Sequence, residues 1–213
     1  MMQKTTADEN MATVTTESGA LSSPELRSVY EELAANTKQT EDLVRDLSEE
    51  QLAWRPAPNV WSIADCLAHL NMVNSGYYMA SITRAIADGR ERGMLGTEPF
   101  RHGMLGNLFV RMVEPPVRFR VPAPRAFVPP PDSAPMETVK TFIQTQEELQ
   151  RLVRAADGVD LGRVKVTSPI NKRLKFTLGQ AFRLLAAHER RHLWQARGVR
   201  ESANFPHRGG KTK

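Results

Sequence analysis

Three of the five histidines in this 213-residue chain could together form one metal site. His188 and His192 stand four residues apart, so on a helix they share a face and their ring nitrogens can converge on one ion. His69, on a different predicted helix, would supply the third imidazole. Three neutral nitrogen donors leave a divalent ion an open position, which is the catalytic rather than the structural arrangement. Such an ion can lower the pKa of bound water toward about 7, giving hydrolysis, or keep a thiolate reactive, giving thiol transfer. Hydrolysis needs a base, and Asp65 and Glu189 are the carboxylates close to these histidines in the sequence. Asp65 could also orient His69 or close a helix start, and its position favours the last of these.

The string His188-Glu189-Arg190-Arg191-His192 also fits H-E-x-x-H, the zinc-peptidase helix whose glutamate activates water. Its surroundings do not fit. Gln195 and Gly198 occupy the positions where the extended motif has a glycine and a third histidine. The other common form needs a glutamate well downstream, whereas Glu201 comes only nine residues after His192. Glu189 lies about 100° around the helix from His188 and can simply face water. Arg191 is expected to point away, toward solvent or a carboxylate on another helix. Cys66 reads as a small apolar filler rather than a fourth ligand, and Tyr77 and Tyr78 as packing residues. Without an ion, inward-facing histidines need hydrogen-bond partners, so a satisfied core is the second reading of the same three residues.

The elements that must carry these side chains are marked by their starts and stops. Ser22, Ser23 and Pro24 open a first helix that reaches about Leu47, and Ser48 with Gln51 caps a short turn ending at Trp54. Ser62 and Asp65 form a capping box for a second, central helix that runs to about Asp88 and stops at Gly89. From Gly89 to Ser133 the pattern is lost. Eight of the fourteen prolines fall between Pro115 and Pro135, and regular structure is limited to one helix around Leu105 to Val113. Ser133 and Pro135 open a third long helix closed by Asp157-Gly158, and Thr177 with Gln180 caps a fourth that ends at Arg197 before Gly198. On the fourth, Ala181, Leu185, His188, His192 and Gln195 continue one core-facing stripe. With no strand alternation, the expectation is an all-α four-helix bundle with a long proline-rich connection between its second and third helices.

Composition bounds the rest. The expected organisation is a disordered leader over 1–22, one bundle domain over 23–200 and a flexible basic tail over 201–213. No apolar run approaches the roughly 20 residues of a membrane span, and the first residues lack the apolar core of a secretory signal, so a cytoplasmic protein is expected. One cysteine, Cys66, excludes an internal disulfide. The net charge of +5 and pI near 9.6 raise the question of nucleic acid. However, the arginines at 90, 92, 101, 111, 118, 120 and 125 are scattered among prolines and glycines, and Arg208, Lys211 and Lys213 sit in the tail. The expected partners are therefore a small-molecule substrate and no nucleic acid or membrane.

Trp61-Ser62-Ile63-Ala64-Asp65-Cys66-Leu67-Ala68-His69-Leu70, with Trp54-Arg55-Pro56 before it and His188-Glu189-Arg190-Arg191-His192-Leu193-Trp194-Gln195 far downstream, resembles the DinB-like superfamily over about residues 23 to 200. The resemblance implies a four-helix bundle with a metal held by His69, His188 and His192. Imidazole donors suit zinc, nickel, iron and copper alike, with zinc or nickel expected before iron, and the resemblance implies an activity drawn from metal-dependent hydrolases, a thiol-dependent isomerase or thiol S-transferases that use bacillithiol or mycothiol. It does not imply DNA binding. The long basic segment 90–131 and the leader depart from the family's tighter members. A non-catalytic helical module for binding or homodimerisation remains the alternative class.

Overall fold

A computed structural model describes residues 20–116, 123–130, 133–168, 171 and 173–206. Helix α1 (Pro24–Val44) is capped by Ser23, whose hydroxyl accepts from the Leu26 amide. The Glu98 carboxylate reinforces this end by accepting from Ser23 Oγ at 2.7 Å and the Glu25 amide at 2.6 Å. A short α2 (Glu49–Ala53) and α3 (Ile63–Val73) each begin with a complete capping box, Ser48/Gln51 and Ser62/Asp65. A π-helical turn, Asn74–Tyr78, leads directly into α4 (Met79–Glu91). Helix α5 (Met104–Val113) and a 3-10 turn (Arg125–Phe127) occupy the proline-rich connection. Helix α6 (Pro135–Ala155) is followed by strands β1 (Lys165–Thr167) and β2 (Lys175–Thr177), then by α7 (Leu178–Arg200), whose capping box is Thr177/Gln180.

Helix α1 packs on α6 and α7, and α3 packs on the same two, so these four long helices form a closed bundle. Tyr30, Leu33, Leu70, Phe142, Leu149 and Phe182 are among its fully buried side chains. Helix α5 lies across α7, where the Gln180 side chain fills the space a Cβ at Gly106 would need. Phe109, Val110 and Val113 face the core, while Met104, Leu105, Leu108 and Met112 form an exposed apolar stripe on the other side. Among the described residues no helix is long and apolar enough to cross a membrane.

Several expectations are corrected. The central helix does not stop at Gly89, which is buried inside α4, where a Cβ would meet Val164 Cγ2 at 2.7 Å; the chain turns at Gly93, whose φ is +60°. Helix α1 ends at Val44 rather than Leu47, and α7 continues past Gly198 to Arg200. The segment read as free of strands holds an antiparallel pair, Val166 opposite Phe176, too short to show alternation. At the N-terminus Leu21 is buried and Ser22 bonds Asp157, while residues 1–19 of the expected leader lie outside the described residues. In the expected tail, Phe205 is buried and stacks edge-on against Trp54 at 5.5 Å, and residues 207–213 lie outside the described residues.

Candidate metal centre

Helices α3 and α7 lie side by side, and their contact brings the three histidines together. His69 on α3 and His192 on α7 are buried, and His188 is partly so. One nitrogen from each ring lies within 4.8 Å of the others. The converging atoms are the Nε2 atoms: His188 Nε2 is 3.3 Å from that of His69 and 3.1 Å from that of His192. His69 Nδ1 donates to the Phe127 carbonyl oxygen at 2.7 Å, which fixes its proton on the far nitrogen and aims the Nε2 lone pair into the cluster. The indole of Trp61 closes one side, its centroid 4.9 Å from the His69 ring and 5.7 Å from that of His192.

Burial keeps all three rings neutral. Desolvation lowers the pKa of His69 and drives that of His192 well below its ordinary value of 6.5. For His188, desolvation comes first, and the repulsion a protonated His69 would exert and the charge on Arg191 add to it, bringing it down to about 3. A metal ligand must present a deprotonated nitrogen, so this donor set suits an ion without a prior proton loss near pH 7. Two of the lone pairs can share one proton on His188 Nε2; a divalent cation would satisfy all three. His192 Nδ1 is buried without a hydrogen bond, and Gln195 on the same helix is the side chain placed to supply one. Because these pKa values are depressed, metal affinity should stay flat as pH falls through the normal histidine range, and calorimetry at pH 7 should detect no imidazole proton release. A tenfold fall in affinity per pH unit between 7 and 6 would contradict neutral rings.

Neither candidate base faces the cluster. Asp65 accepts from the Ser62 amide and from Arg55 Nε and Nη2 at 2.8 and 2.9 Å. Although desolvation pushes its pKa up, these partners prevail and hold it below the usual carboxylate range. Glu189, expected to face water, is fully buried. It accepts from Asn36 Nδ2 on α1 at 3.0 Å, from Asn74 Nδ2 at the end of α3 at 2.8 Å and from Gln146 Nε2 on α6 at 2.8 Å. An H-E-x-x-H peptidase therefore lacks its base here.

Cys66 is fully buried among Leu52, Ile63 and their neighbours, and desolvation pushes its thiol up, as a filler requires. Tyr78 is core; Tyr77 is partly exposed and stacks on Phe127 at 4.9 Å. Arg118 and Arg120 lie outside the described residues. The Phe127 carbonyl and Trp61 were not expected as parts of the site. Trp61 was legible as the residue preceding the capped helix start, whereas the carbonyl arrives from a proline-rich segment that gives no periodic signal.

Comparison with curated proteins and with solved structures gives no match. The family model of the DinB superfamily matches residues 32–196, a span that contains both helices of the histidine cluster. With that span covering most of the chain and the fold a helical bundle, the protein belongs to the DinB superfamily.

Proposed function

We propose that His69, His188 and His192 hold a catalytic divalent ion, zinc or nickel before iron, and that the protein is a metal-dependent enzyme of the thiol S-transferase type. The observation that carries the choice is the absence of a free carboxylate: among the described residues, both nearby acids are committed to protein partners. A bound divalent ion supplies Lewis acidity and keeps a coordinated low-molecular-weight thiol ionised at neutral pH. The imidazoles then need only to bind and orient, and no protein base is required. Phe127 fixes the His69 tautomer, and Trp61 offers an apolar wall that excludes water. Hydrolysis is the second reading, since three-histidine sites also activate water.

Tag-free protein purified without added metal should carry close to one divalent ion per chain by elemental mass spectrometry. The loaded protein should consume an electrophile only when a small thiol such as bacillithiol or mycothiol is present. Turnover without thiol would favour the hydrolase. Stoichiometric metal with neither activity would leave a binding module, and metal-free protein that also refuses added zinc and nickel would remove the metal reading altogether.

A further inference from the structure

Arg191 stands on the flank of the histidine stripe. It is three residues from His188, hence a neighbour on the same helix surface, and about 100° around the axis from His192. Its side chain is half-buried. The other arginines of this stretch are engaged: Arg190 bridges Glu32 at 2.5 Å and Glu114, and Arg183 bonds Asn107 at 3.1 Å. Arg191, expected to reach solvent or a carboxylate, has no carboxylate or carbonyl partner among the described residues. Burial is the sole cause lowering its pKa, and its charge is felt by all three histidines.

A desolvated guanidinium beside a prospective divalent cation weakens metal binding, and it becomes favourable when an anion lies between the two. The planar fork of arginine suits a carboxylate held in two-point contact. A lone guanidinium carries a single positive charge, which matches a monoanion more closely than phosphate.

We propose that Arg191 is the anchor for a carboxylate group of the substrate, so that the three-histidine site acts on carboxylate-bearing small molecules. This rests on the metal reading above, and the test separates the two. Cobalt(II)-loaded protein is titrated with acetate and with inorganic phosphate while its visible spectrum is recorded, and metal affinity is measured in parallel by chelator competition. The wild type should respond to acetate in preference to phosphate. Arg191→Met should weaken the acetate response about 10- to 100-fold, the range for a charge-assisted pair, while binding the metal as tightly or more tightly. Arg191→Lys, which keeps the charge and loses the fork, should fall between them. An acetate response that survives in Arg191→Met, a preference for phosphate, or a parallel loss of metal affinity would overturn the proposal alone. A wild-type chain that takes up no cobalt would end both readings.

Discussion

Alanine at position 189 should destabilise the bundle by about 3–5 kcal/mol, since three buried amide donors lose their acceptor at roughly 1–3 kcal/mol each, partly relieved by rearrangement. Those donors come from α1, the end of α3 and α6, so the Glu189 carboxylate on α7 joins all four long helices at one point. A glutamine there should behave differently, and the contrast depends on pH. Desolvation raises the Glu189 pKa from 4.5 to about 7, even though Gln146, Asn36 and Asn74 favour the ionised form. A folded-state pKa above the unfolded one means that the stabilising contribution is complete below pH 4.5 and is lost as pH rises through 7. The loss approaches about 3 kcal/mol once the buried carboxylate is ionised. Glu189→Gln does not ionise, and its amide could donate to Asn74 Oδ1 or Gln146 Oε1, both buried without partners. In metal-free protein, urea unfolding at pH 5 and 8.5 should therefore show the wild type losing ground to Glu189→Gln as pH rises. A difference that does not change with pH would mean that the carboxylate is not buried as described.

Loss of any one imidazole should weaken metal binding by about 10²–10³-fold. Structural zinc sites with four ligands bind with about 10–16 kcal/mol, or roughly 2.5–4 kcal/mol per ligand. His69→Ala, His188→Ala and His192→Ala should each show this loss in chelator competition while keeping the helical circular dichroism of the wild type. His69→Ala differs in one respect, because it also leaves the Phe127 carbonyl without its donor. Its penalty should exceed that of His188→Ala in thermal stability, since His188 is the ring nearer solvent. Retention of metal in all three variants would place the ion elsewhere.

Local signals were legible and distant ones were not. The capping boxes at Ser48, Ser62 and Thr177 require only residues three apart, and all three form as read. The pair His188 and His192 is also local, and it marks a face before any fold is known. His69 joined them only through the family resemblance and the apolar content of its helix. The environment of Glu189 was hidden because its partners are 153, 115 and 43 residues away and are ordinary amides in the sequence. A clue was available: Ala181, Phe182, Leu184, Ala186 and Ala187 are apolar almost all round, so α7 is enclosed on more than one side. A helix enclosed on more than one side places position 189 in the interior.

The π-helical turn has a consequence for reading this chain against others. Cys66, Leu70 and Val73 on α3 are buried at helical spacing, and an unbroken α-helix would bury residue 77 next. Instead Tyr77 is 39% exposed and Tyr78 is 5% exposed, and Ile82, Ala85, Ile86 and Gly89 follow from there. One extra residue has been accommodated within the turn, and everything after it is rotated by about 100° relative to the helix before it. The ligand-bearing half and the core-forming half of this long helix are thus written in two different frames. A pairwise alignment drawn through Asn74–Tyr78 without a gap, against a relative whose helix lacks the turn, would slip every later residue by one position and match most of the interior ones to surface ones.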